Sequence, residues 1–187
     1  QAIIKRSPSK HFFRFFIMKA LGLLLVTMLL FAQAKAAEEK NLEDGLREAI
    51  HLNTRKQERA GDSCKAIQAY IQAGYLTPKP NYRWDYTDYR YLLKPAKFMS
   101  HDLVMIEEEY MAKYVGCCVN PGLGIVVRIK GSTRALEKFA ENNACSYGGN
   151  YQFGKELKYV IDHAPRDRYF SLSCRAGDID RFQDQRR

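Results

Sequence analysis

The longest acidic run in the chain, Glu107-Glu108-Glu109, is the first place to look for proton-transfer chemistry. With Asp85 or Asp88 it would supply the paired carboxylates of general acid–base or glycosidase chemistry. On a strand only two of the three glutamates share a face, and adjacent glutamates more commonly form a solvated surface. A thiol beside an imidazole is the next option, since His51, His101 and His163 accompany five cysteines. No signature of a catalytic cysteine surrounds any of the five, and His51 beside Ile50 reads as a partly buried structural histidine on a helix. Neither set amounts to a catalytic constellation, so the chain reads as a non-enzyme with no cofactor.

Two short motifs look chemical and have simpler readings. Gly61-Asp62-Ser63-Cys64 has the Gly-Asp-Ser order of a hydrolase nucleophile. It follows the polar run Arg55-Lys56-Gln57-Glu58-Arg59 instead of an apolar strand, and it lacks the glycine spacing of a nucleophile elbow. Asp62 or Ser63 therefore reads as a helix cap. Asn120-Pro121-Gly122-Leu123-Gly124 offers backbone N–H groups to a phosphate, but no Lys-Ser/Thr follows and no GxGxxG is present. A type II turn accounts for it better, with Pro first and Gly second at the central positions.

The cysteines Cys64, Cys117, Cys118, Cys145 and Cys174 are all disulfide candidates. Five is odd, so at most two bridges form, and the neighbours Cys117 and Cys118 are poorly placed to bridge each other. No CxxC or CxxH spacing exists, which argues against a zinc site. The first choice is Cys145 with Cys174, each closing an adjacent late element. Closing the 28 residues between them would stabilise the fold by about 3 kcal/mol in the chain-entropy description.

The densest aromatic stretch runs from Asn81 to Leu93 and holds Tyr82, Trp84, Tyr86, Tyr89 and Tyr91, interleaved with Arg83, Asp85, Asp88 and Arg90. Amphipathic aromatics mixed with charges are the composition of a protein-binding hot spot. The candidate interface is Tyr82, Trp84, Tyr86, Asp88, Tyr89, Arg90 and Tyr91, with Tyr89 and Arg90 expected to be exposed. The rival reading is a strand whose inner face is aromatic, which by itself would account for Tyr82, Trp84 and Tyr86.

Charge decides which class of partner to expect. The chain has 187 residues, 30 Lys+Arg against 21 Asp+Glu, and a formal net charge of +9. Residues 18–36, MKALGLLLVTMLLFAQAKA, have the layout of a secretory signal: Lys19, an apolar run from Ala20 to Ala32, and the small-x-small site Ala34-Lys35-Ala36. The run is too short for a membrane span, which needs about 20 residues. Met18 reads as the natural start, with residues 1–17 as upstream sequence or an extended n-region. Six basic residues and no acid lie in residues 1–36, so residues 37–187 keep only +3. Nucleic acid drops out as a partner, and a disulfide-permitting periplasm becomes the expected location.

Periodicity places the elements that would carry these groups. Leu42, Leu46, Ala49 and Ile50 fall on one helical face from Asn41 to about Arg59. A second helix, capped at Asp62 or Ser63 and ended by Gly74, would bury Ala66, Ile67, Tyr70 and Ile71. Residues 100–115 fit helix and strand equally. Cys117–Val119 and Ile125–Ile129 read as a hairpin across Pro121-Gly122. A helix capped by Ser132 would bury Ala135, Leu136, Phe139 and Ala140. Gly148-Gly149 reads as a turn, Tyr169–Cys174 as a strand, and the polar end as frayed. Helices followed by mixed strands and helices predict one α+β domain over residues 37–187: N-terminal helices, then an antiparallel sheet with one or more packed helices.

An export segment at Met18–Ala36, a compact cysteine-bearing domain, a Tyr-rich surface candidate and no catalytic constellation together resemble the periplasmic immunity proteins of type VI secretion, including those that guard against phospholipase effectors. That resemblance implies a stoichiometric inhibitor of a secreted toxin. The alternatives are an envelope hydrolase acting on glycan or lipid through Glu107–Glu109 and His101, and a periplasmic ligand-binding or assembly module.

Overall fold

The structure is a computed structural model that describes residues 10–109, 121–153 and 168–184. It divides into two compact units, residues 1–40 and 41–187. The first helix, α1, runs Lys10–Ala49. Among the described residues no helix is long and apolar enough to cross a membrane.

In the second unit, Leu42, Leu46, Ala49 and Ile50 are all buried, as their spacing predicts. The helix stops ten residues short of the expected Arg59. Asn53 is the reason: its side-chain oxygen accepts from the N–H groups of Arg55 and Lys56 at 3.1 and 3.2 Å, a turn that competes with the helical ladder. The chain folds back as a small hairpin, β1 (Leu52–Asn53) with β2 (Glu58–Arg59). His51, just past the helix, is exposed rather than half-buried.

Helix α2 (Ser63–Gln72) begins as expected, with the Asp62 carboxylate accepting from Lys65 N–H at 3.0 Å. It buries Ala66, Ile67 and Tyr70, and Gly74 follows it at φ +71°. The remaining elements are β3 (Tyr82–Trp84), β4 (Thr87–Tyr91), β5 (Lys97–Phe98), β6 (His101–Glu109), β7 (Gly122–Arg128), α3 (Arg134–Asn142), β8 (Ser146–Gly148), β9 (Tyr169–Arg175) and α4 (Ala176–Asp184).

The main sheet is antiparallel, in the order β3-β4-β6-β7-β9-β8, with β5 paired to β6. The α+β architecture is therefore the one predicted. The open choice over residues 100–115 resolves as a strand for His101–Glu109. Its apolar run is buried on both faces, Leu103 and Ile106 toward the helices and Met105 away from them, which a helix packed on one side would not achieve.

Both edges of β7 are occupied, Ile125 pairing with Ile106 of β6 and Leu172 of β9. The expected pairing of Ile125–Ile129 with Cys117–Val119 is excluded at those positions; residues 110–120 lie outside the described residues. Gly122 opens β7 at φ +102°, and a Cβ there would sit 2.0 Å from the Cys174 carbonyl oxygen, so no other residue fits.

Leu46, Ile50, Ile67, Tyr70, Leu136 and Ala140 from the helices pack on Phe98, Leu103, Ile106, Ile125, Phe170 and Leu172 of the sheet. In α3 the expected Leu136 and Ala140 are buried, Phe139 is half-buried and Ala135 is exposed. Ser132 accepts from Arg134 N–H at 3.3 Å, although Thr133 holds the cap position. The polar end is not frayed through Asp184. Asp178 is buried and accepts from Arg175 N–H and from the Ser146 and Ser173 hydroxyls at 2.6–2.8 Å, which starts α4.

Cys145 and Cys174 are joined as predicted, with Cα atoms 4.4 Å apart. Cys64 is a free, half-buried thiol, and Cys117 and Cys118 lie outside the described residues.

Candidate protein-binding surface

Tyr82, Trp84 and Tyr86 do not share one strand. The chain reverses between them, with Trp84 facing Thr87 across a two-residue turn of Asp85 and Tyr86. Asp85 takes φ +55°, a backbone conformation that Asp tolerates better than most residues. The turn leaves Trp84 at the end of its strand and Tyr86 outside the sheet, 67% and 51% exposed. An inward aromatic face therefore does not account for them. Tyr82 stays half-buried against Tyr89, ring centroids 5.9 Å apart.

The charged members of the stretch have a different role from the one expected. Arg90 is 7% exposed and Asp88 is 1% exposed, and Tyr91 is buried too, so none of the three is a surface contact. Tyr89 is half-buried. Arg83 grips Asp88 with two nitrogens, the Nη2–Oδ2 distance being 2.7 Å. Asp88 lies 3.7 Å from Arg90, and Arg90 pairs with Glu108 at 2.9 Å. Arg90 also donates to the carbonyls of Thr77 and Pro78 at 3.0 Å, tying the Pro-containing connector to the sheet. These alternating charges tie β3, β4 and β6 together behind the aromatic tip of the hairpin. The strand period put Asp88 and Arg90 inward; composition alone could not reveal the carboxylate of Glu108 waiting for them on β6.

The acidic run splits by face, as a strand requires. Glu108 belongs to the rear network, while Glu107 and Glu109 project from the opposite face and share Arg175, at 3.2 and 3.1 Å. Gly124 makes room for the first pair: a Cβ there would lie 2.8 Å from Glu107 Oε2. Tyr151 donates to Glu107 at 3.4 Å. Burial, then the Glu107 charge, raises the phenol pKa of Tyr89, Tyr91 and Tyr151 above the ordinary value, so all three stay neutral. Every glutamate of the run thus has an arginine partner, and His101 sits at the other end of β6.

His101 has a structural role there. It is buried, and its Nδ1 accepts from the Lys130 N–H at 3.0 Å. Burial lowers its pKa, with the Asp102 charge opposing the shift and Lys97 adding to it. A lowered folded-state value means that the unfolded chain takes up the proton first. Stability should therefore be fully present above the ordinary histidine value near 6.5 and fall as the pH drops through it. Denaturation midpoints measured from pH 8 to 5 should show this slope in the native protein and lose it in His101→Gln; a parallel slope in both would refute the assignment. The Asp102 carboxyl beside it is lowered as well, for a different reason: burial pushes it up, but hydrogen bonds from Lys97 and Arg128 outweigh that and hold it at about 2.

Among the described residues, no group of three His, Cys, Asp or Glu side chains could hold a metal ion. His163 lies outside the described residues. No family model, curated protein or solved structure matches this chain.

Proposed function

We propose that this chain is an exported binding protein that neutralises a secreted toxin by stoichiometric contact, with the β3–β4 hairpin as its docking element. One observation carries the reading: two aromatics, each more than half exposed, stand at the tip of a hairpin backed by the half-exposed Arg83–Asp88 pair and the buried Arg90–Glu108 pair. Preorganised Trp and Tyr give contact area at low entropic cost, and such residues dominate binding energy. The export-type segment Met18–Ala36 supports a periplasmic site of action, and the arginine pairing of Glu107, Glu108 and Glu109 supports binding over acid–base turnover.

A strain lacking the gene should be killed by a neighbouring secreted effector and rescued by the native protein. Rescue by Trp84→Ala/Tyr86→Ala should fail, with affinity for that effector lowered by about 2 kcal/mol or more, some thirtyfold. The unfolding midpoint should not change, because both side chains are solvated. A deletion strain unharmed by every neighbouring effector would end the immunity reading, and full rescue by the double variant would remove the hairpin from it.

A further inference from the structure

The two faces of the hairpin differ in charge. On the rear face Arg83 and Arg90 balance Asp88 and Glu108. On the front face Glu107 and Glu109 share the guanidinium of Arg175, the one cation that pairs with them among the described residues, and Asp85 stands in the turn next to Trp84. Asp85 is exposed, and among the described residues no ion pair or hydrogen bond reaches its carboxylate. Strand register sets Trp84, Thr87 and Glu109 side by side on this front face, one on each of three adjacent strands. An open indole thus stands one residue before an exposed carboxylate in the turn and two strands from Glu109, which shares Arg175 with Glu107. Indole faces attract cations more strongly than other aromatic rings do, and a surface with excess negative charge selects a positive partner.

We propose that the surface received by this hairpin is basic: a Lys or Arg side chain of the protein partner stacks on Trp84 while Asp85 and Glu109 flank its charge. This rests on the hairpin being a docking surface, and it adds the chemical class of what docks. It also names the device that would reject other proteins, since an acidic patch opposite Asp85 and Glu109 would be repelled.

A random dodecapeptide phage library, selected on the whole immobilised chain and counter-selected on Trp84→Ala/Tyr86→Ala, separates the two claims. Trp84 is the chain's only tryptophan, so its fluorescence reports directly whether a selected peptide sits on it. The expected result is Trp84-dependent clones enriched in Arg and Lys. Their affinity should drop roughly fivefold or more in Asp85→Asn/Glu109→Gln, and again when the peptide's Arg is replaced by citrulline. Asn keeps the turn, because it also tolerates positive φ. Trp84-dependent clones without basic residues, or affinity unchanged in the Asn/Gln variant, would overturn the basic partner while leaving the docking hairpin in place. No clone dependent on Trp84 or Tyr86 would overturn both.

Discussion

Replacing Arg59 with Met is expected to destabilise the second unit by about 3–5 kcal/mol, comparable to breaking a buried charged network. The Arg59 guanidinium is buried and donates to four carbonyls: Ile50 at 3.1 Å, Asn143 at 2.5 Å, Ala144 at 3.0 Å and Arg175 at 2.8 Å. Those oxygens belong to the end of α1, the α3–β8 connection and the end of β9, segments far apart in sequence. Met fills much of the volume but leaves all four acceptors without their donor, each with a desolvation penalty on the order of 1–3 kcal/mol before relaxation. Burial lowers the guanidinium pKa to about 10, with Asp178 opposing the shift, so the charge itself is held at some expense. Arg59→Lys separates charge from geometry. One ammonium keeps the charge but cannot span four oxygens, so it should recover only a minor part of the loss. Urea midpoints decide the matter: a Met variant within about 1 kcal/mol of the native protein would show that Arg59 is not the clasp described.

The second large effect is expected at the disulfide. Removing it as Cys145→Ala/Cys174→Ala should lower stability by about 3–4 kcal/mol, the entropy of closing a loop of this length in the unfolded chain. The sulfurs are buried in the main core, so the truncated side chains add a packing loss. Arg59 Nη1 lies 3.9 Å from Cys145 Sγ, so the two sets of changes share a neighbourhood and should not be additive. Peptide mapping without reductant should recover the Cys145 and Cys174 peptides joined and Cys64 as a free thiol. Finding both partners alkylated in the native protein would refute the bridge.

Much of the architecture was legible because it depends on period and on local chemistry. The spacing of Leu42, Leu46, Ala49 and Ile50, the cap at Asp62 and the alternation through Tyr169–Cys174 each report on nearest neighbours, and each matches the structure. Three of the readings that failed depended on a partner distant in sequence. Arg59 looked like the polar end of a helix because nothing near it in the chain announces the four carbonyls it serves. Arg90 looked like an exposed contact because its partner Glu108 arrives on another strand. The C-terminal residues looked frayed because Asp178 finds Ser146 only once β8 lies beside β9.

The aromatic stretch shows where the division falls. Sequence by itself determined that Tyr82, Trp84 and Tyr86 are concentrated in one short stretch, that the fold is α+β and that Cys145 and Cys174 suit a bridge. Only the tertiary structure decided which aromatics meet solvent. That choice is made by a reversal at Asp85 and by ion pairs spanning β3, β4 and β6. The physical reason is one of range: propensity and periodicity act over a few residues, whereas burial of a charge is settled only by the opposite charge that another strand brings to it.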